Sequence, residues 1–245
     1  MGYSLVRLVL KSFKVRYYIL IHVPRISNEE LQRIYNDLPK FYDRANALIS
    51  FFKDVEWRAT LVKYISYYYP DTRRILDVAC GKGELSYVIN KMIKAETVMV
   101  DYAENMLLNS FVKTDRVQGS FYKLPFRDES FDCVVSSFAL HSADDIGEVV
   151  KEMARVSRNC VGVIAMGKSD NVMYRKYASF YLSYIQPYLA CLVGAKSRDY
   201  KYIFYIYQRI PTNNQLRNII SKILDLKIFE EKALGTVYIF LGSKH

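Results

Sequence analysis

The segment Ile75-Leu76-Asp77-Val78-Ala79-Cys80-Gly81-Lys82-Gly83-Glu84 constrains this chain more than any other. A short apolar run of strand length leads straight into two glycines, and a helical stretch starts at Glu84. A strand that ends in a glycine turn and feeds a helix is the opening unit of a parallel α/β sheet. Without side chains, Gly81 and Gly83 let the backbone turn tightly and approach a ligand. The helix after them presents unpaired N–H groups and the positive end of its dipole, which suits an anion. Asp77, just before the turn, can reach a cation.

The pattern repeats downstream. Thr97–Val100 reads as a second strand followed by a helix through Leu108, Arg116–Gln118 as a weak third strand, and Phe131–Val135 as a fourth. A helix over about 145–157 leads to a strand at Val161–Met166. This alternation predicts a Rossmann-like, mostly parallel twisted sheet with helices on both faces, whose ligands bind beyond the carboxyl ends of the strands. Upstream, Ser27 or Asn28 would cap a helix to about residue 37, and a longer helix over about 44–68 stops before Pro70. Asn213 or Asn214 would cap a last helix through Leu224, with end strands near 226–229 and 236–241. Over about 170–212 the alternation breaks. Tyr174, Tyr177, Tyr181, Ile185 and Tyr188 recur at helical spacing, with Pro187 as an expected kink, so a helical insertion forms a lid. The expected organisation is a basic, apolar extension at 1–26 and a single domain over 27–245.

Asp101 ends the second strand, eighteen residues after Gly83. A carboxylate there can accept both hydroxyls of a ribose, so a nicotinamide dinucleotide must be weighed. The dinucleotide fingerprint wants a third glycine, however, and Ser86 stands in its place. The acid-x-x-x-Gly-x-Gly order favours S-adenosylmethionine (SAM) instead. Its methionine carboxylate would meet the helix start and its ammonium would meet Asp77. Gly162-Val163-Ile164-Ala165-Met166-Gly167-Lys168-Ser169 formally matches a phosphate-binding loop, but its interior is an apolar strand rather than a flexible cradle.

From about Tyr35 to Gly242 the chain resembles the ubiquinone/menaquinone-biosynthesis C-methyltransferases, within the wider class I methyltransferases. The resemblance rests on Phe41-Tyr42-Asp43-Arg44-Ala45-Asn46 with Trp57-Arg58, on the Asp77–Glu84 turn, on Asp101-Tyr102-Ala103-Glu104-Asn105-Met106, and on Leu124-Pro125-Phe126-x-Asp128-x-Ser130-Phe131-Asp132. It implies a SAM-dependent enzyme in which Gly81 and Gly83 line the methionine, Asp101 holds the ribose, and Ser120 and Phe121 meet the adenine. It also implies that Tyr42 and Asn46 close over SAM or substrate, and that Ala79, Tyr102, Met106 and Ser137 complete the cofactor contacts. Ser120 replaces the family's usual Asp. His141-Ser142 stands where the quinone enzymes favour Arg-Asn, and Arg158-Asn159-Cys160-Val161 replaces a Lys-Pro-Gly-Gly turn.

The implied acceptor is a small, apolar aromatic molecule such as a prenylated quinol. Methyl transfer from a sulfonium needs alignment, which positioning supplies. The acceptor ring must also lose a proton. His141 is the first candidate base, since its ordinary pKa suits neutral pH, and Asp145 is the second. Two other readings stay open: an RNA or other small-molecule methyltransferase, and a SAM-binding interaction protein without turnover.

Charge and cysteines bear on partners and compartment. The net charge of +10 is concentrated in two places. Residues 1–25 carry five basic side chains and no acid, and residues 171–210 carry six against Asp199 alone. Basic, apolar surfaces suit anionic lipid or nucleic acid, and residues 1–25 are the candidate peripheral membrane contact. Nucleic acid is the weaker reading, because Ser136-Ser137-Phe138-Ala139 is not the Asn/Asp-Pro-Pro-Tyr/Phe segment of many amino-group nucleic-acid methyltransferases. The absence of any apolar run of spanning length and the scattered Cys80, Cys133, Cys160 and Cys191 predict a cytoplasmic protein with reduced, mostly buried thiols. Three histidines without zinc spacing predict no metal site.

Overall fold

The computed structural model describes residues 50, 53–192 and 197–245. The expected extension at 1–26, the helix to residue 37, and the first part of the 44–68 helix lie outside the described residues, as do Tyr42 and Asn46.

Among the described residues, seven strands form one sheet: β1 (Arg74–Val78), β2 (Glu96–Asp101), β3 (Asp115–Gln118), β4 (Phe131–Ser137), β5 (Ser157–Met166), β6 (Leu224–Lys232) and β7 (Val237–Lys244). Their order is β3-β2-β1-β4-β5-β7-β6. β1 to β5 are mutually parallel, and β7 slots in antiparallel between β5 and β6. The order runs one way from β1 through β2 and β3, and the other way through β4 and β5. The crevice for a ligand therefore opens where β1 and β4 part, beyond their carboxyl ends.

The helices are α1 (Asp54–Tyr68), α2 (Glu84–Met92), α3 (Glu104–Leu108), α4 (Ile146–Val156), α5 (Val172–Phe180), α6 (Gln186–Leu192), α7 (Ser197–Arg209) and α8 (Asn213–Ile220). Side chains alternate across each strand, so the two sheet faces carry separate cores. On one, Leu76, Val100 and Val134 pack with Val150 and Met153 of α4 and Ile220 of α8. On the other, Ile75 and Val135 pack with Leu61 and Ile65 of α1 and Leu85 and Ile89 of α2. Both faces are covered, which is why these strands read as unbroken apolar runs rather than alternating ones. Each fully buried aliphatic side chain contributes about 1.5–3 kcal/mol.

Several local expectations change. β5 starts at Ser157, four residues before the apolar run, because its first residues pair with Phe131 across a bulge. α8 is capped by Thr212, in a capping box with Gln215, and not by an asparagine. Asn213 turns inward, accepting from the Lys168 amide at 2.9 Å and donating to the Gly235 carbonyl at 2.9 Å. That helix ends at Ile220, since Leu224 already opens β6. Pro187 does not break its helix. A π-helical turn at Tyr181–Ile185 widens the backbone just before it, where the proline ring would otherwise crowd the carbonyl four residues back. Gly162–Met166 lies within β5, and the Lys168 ammonium donates to the carbonyls of Gln208 and Ile210, so that segment holds no phosphate.

The expectation of four reduced thiols is overturned for two of them. Cys133 and Cys160 sit opposite one another in the β4–β5 register with Cα atoms 4.6 Å apart, and they form a disulfide. Cys80 is free and buried, and Cys191 is free and exposed. The two bridged cysteines lie far apart in sequence, and only the strand register brings them together. Among the described residues, no helix is long and apolar enough to cross a membrane.

Candidate functional site

The site grows from the carboxyl ends of β1, β2 and β4. Asp77 is wholly buried near the end of β1. Its Oδ2 accepts from the Ser86 amide at 3.1 Å and from the Ser86 hydroxyl at 2.7 Å. Its Oδ1 is buried and has no protein partner. Burial pushes this carboxyl up to about 7, against the opposing pull of the two Ser86 bonds. The serine that spoils the dinucleotide fingerprint thus anchors the acid. It also means that the protein's own carboxylate takes one of the first amides of α2, and the unpartnered Oδ1 is left for a cation.

The turn after β1 holds three residues at positive φ: Ala79 (52°), Gly81 (58°) and Gly83 (97°). The two glycines have different duties. A Cβ on Gly81 would meet only Glu84 Oε2, at 3.6 Å, so the space before it is open to a ligand. A Cβ on Gly83 would lie 2.9 Å from Val112 Cγ2 and 3.0 Å from Met99 Cε, so this residue is small in order to let α2 close on β2. Close packing and a left-handed φ both require glycine at 83.

Asp101, at the end of β2, accepts from the Gly81 amide at 2.7 Å through Oδ2 and from the Ala103 amide at 2.8 Å through Oδ1. Burial raises its pKa and these amides oppose the rise. A carboxylate has about four acceptor positions, so each oxygen keeps capacity for a hydroxyl. Tyr102 beside it is exposed, while Met106 is buried in α3. Ser120 accepts from the Tyr122 amide at 3.2 Å, and the Phe121 ring lies 4.7 Å from that of Tyr122. The Tyr122 hydroxyl in turn accepts from the Asp144 amide at 2.6 Å, which ties this turn to the loop before α4.

Beyond β4, Leu140–Ser142 form a 3₁₀ turn. His141 Nδ1 is buried there without a partner, and burial pushes the imidazole down to about 4. The expectation of an ordinary, near-neutral histidine is therefore corrected: His141 is uncharged at pH 7. Asp145 caps α4, its carboxylate accepting from the Glu148 amide at 3.0 Å, so it has a structural duty already.

One cluster joins Trp57 and Arg58 of the family-like segment to Ser137, a contact between them that the sequence does not predict. Arg58 of α1 is buried, pairs with Asp54 at 2.6 Å, and donates from Nε to the Ser137 hydroxyl at 3.4 Å. Its guanidinium lies 5.2 Å from the centre of the Phe138 ring, and Trp57 packs on the same ring at 6.4 Å. Phe138 is held at φ 55°, a strained conformation for a residue with a bulky side chain, in the first position after β4. The Asp54/Arg58 spacing of four on a helix was the available signal.

Comparisons with known proteins agree with this geometry. A model of the ubiE/COQ5 methyltransferase family matches residues 24–244. Demethylmenaquinone methyltransferase of Staphylococcus aureus is 26% identical over 208 residues, covering 81% of this chain and 86% of that protein. A SAM-dependent methyltransferase of Thermotoga maritima superposes with a TM-score of 0.61 at 17% identity, covering 88% of this chain and all of the other. A Haloferax volcanii methyltransferase, solved in a complex with the activator Trm112, gives 0.58 at 15% identity, over 84% and 97% of the two chains. These structural likenesses carry the fold.

Proposed function

The chain belongs to the ubiE/COQ5 methyltransferase family and is a SAM-dependent methyltransferase with a Rossmann-like fold; from that premise we propose that it C-methylates a small, apolar aromatic acceptor such as a prenylated quinol. The observation that carries the cofactor assignment is the buried, unpartnered Oδ1 of Asp77 at the end of the strand whose following turn has Gly81 bonded to Asp101 and open on its Cα side. That set fits SAM: Asp77 takes the ammonium, Asp101 the ribose hydroxyls, and Gly81 leaves room for the methionine. Ala79, Tyr102, Ser120, Phe121 and Ser137 line the rest. Gly83 and Met106 complete the cofactor contacts. Tyr42 and Asn46 close over it.

When bound, SAM supplies an electrophilic methyl group on a sulfonium. The chain's own task is to align the acceptor and remove its proton. His141 is neutral at working pH, and its unpartnered Nδ1 would take the proton of the acceptor hydroxyl. The phenolate formed beside it would raise the imidazole pKa, since an opposite charge favours the protonated form. The helices at 172–209 act as the lid of a single domain over 27–245. Residues 1–25 add a basic peripheral membrane contact.

The name of the Staphylococcus aureus relative supports a quinol acceptor. The test is incubation with methyl-labelled SAM and a reduced demethylated menaquinone, reading the product by mass spectrometry. A C-methylated quinol is expected. Label on RNA or on an oxygen atom instead would replace the acceptor assignment, and SAM binding without any turnover would leave an interaction protein.

A further inference from the structure

From α5 through the π turn to α6, the chain keeps one helical face wet and apolar at once. Met173, Tyr177, Phe180, Tyr184 and Tyr188 recur every three or four residues, and each is between 55% and 70% exposed. The opposite face is well used: Ala178 and Leu182 pack against Ile206, Tyr207 and Ile210 of the α7 end. The stripe is therefore not a core face left over, because this helix already has its core. The Phe180 and Tyr184 rings lie 5.3 Å apart, so part of it is a continuous aromatic surface. A stripe of this length on a water-soluble face calls for a partner.

The chemistry of the stripe and its setting select the partner. Four of the five residues are aromatic, three of them tyrosines, whose apolar rings end in a polar hydroxyl. Such rings favour the boundary between water and hydrocarbon. Lys176 is exposed, and residues 171–210 carry six basic side chains against a single acid. An amphipathic helix with aromatics on its face and an excess of cations binds an anionic bilayer surface. We propose that the face formed by Met173, Tyr177, Phe180, Tyr184 and Tyr188 docks this protein on anionic lipid membranes. The docking does not depend on which acceptor is methylated.

The experiment uses the full chain with phosphatidylcholine vesicles, alone or with one quarter phosphatidylglycerol, in a sedimentation assay. The variant is Phe180→Ser/Tyr184→Ser/Tyr188→Ser, at exposed positions outside the core, with an unchanged circular-dichroism spectrum and a cooperative thermal melt as the folding control. Wild type should bind the anionic vesicles, with binding falling as salt is raised, and the variant should bind at least tenfold more weakly. A polarity-sensitive dye on the exposed Cys191, at the end of this helix, should shift to the blue on the anionic vesicles. Absence of wild-type binding would overturn the proposal. So would equal binding by the variant with an unshifted dye, which would move any docking to another surface, or loss of a solution dimer in the variant, which would make the partner a second copy.

Discussion

Ser86 donates both its amide and its hydroxyl to the same oxygen of Asp77, at 3.1 and 2.7 Å, and leaves the other oxygen buried and unpartnered. With the carboxyl pushed up to about 7, part of the apoprotein at neutral pH holds a proton there that the ammonium of SAM must displace. SAM should therefore bind more tightly as pH rises from 6 to 8, with proton release measurable by calorimetry in buffers of different ionisation enthalpy. Asp77→Asn should weaken SAM roughly 10- to 100-fold, the loss of a charge-assisted bond, and flatten the pH dependence. A pH-independent wild type would remove Asp77 from the cofactor contacts.

The same shift has a stability consequence of definite sign. The folded pKa of Asp77 lies above the unfolded value of 3.8, so its contribution is fully present below that value and is lost as pH rises through about 7. His141 works in the opposite sense: its folded value of about 4 lies below 6.5, so its contribution is lost as pH falls through that window. The two oppose each other between pH 4 and 6.5. Only the difference between wild type and Asp77→Asn isolates the first, and that difference should shift in favour of the variant between pH 5 and 8 in thermal melts.

Asp101 and Asp77 should separate when the ligand is trimmed. 5′-Methylthioadenosine keeps the ribose and lacks the amino-acid end. Asp101→Ala should weaken it about as much as it weakens SAM, whereas Asp77→Asn should leave it unchanged. Equal losses for both variants would mean that the two acids do not serve different ends of one ligand.

His141→Ala should lower kcat on the order of 10²- to 10⁴-fold while SAM affinity holds. In the wild type, the acid limb of kcat/KM attributable to this residue should fall near pH 4, not near 6.5, because its imidazole titrates there in the free enzyme. Retained turnover in the variant would assign the proton transfer elsewhere.

The β4–β5 disulfide spans 27 residues and should stabilise the fold by about 3.5 kcal/mol through restriction of the unfolded chain. Denatured but unreduced protein should titrate two thiols, Cys80 and Cys191, and the double change of Cys133 and Cys160 to Ala should shift the denaturation midpoint downward. Four titratable thiols would show that the bridge does not form.

Much of this arrangement was legible before any coordinates. β1, its glycine turn and Asp101 declare themselves locally, because each uses a residue type that few other conformations need. What stayed hidden depends on register and depth. Cys133 and Cys160 meet only once β4 and β5 pair with a given offset. His141 looks like an ordinary histidine until its burial is known, and the packing of Met99 and Val112 against Gly83 has no local signal. Thr212 competes in sequence with two adjacent asparagines for the cap, and the inward turn of Asn213 is a tertiary decision.

The place of β7 governs the order in which the molecule can be made. β6 is synthesised first but bonds only to β7, and the outer edge of β5 is likewise closed only by β7. Until that strand leaves the ribosome, the nascent sheet carries an open, apolar edge and a detached ribbon of chain waiting beside it. Open edges invite pairing with other chains. The growing polypeptide thus stays open to edge pairing until β7 is made, although β1, β2 and β4, whose ends carry Asp77, Asp101 and Ser137, are already complete.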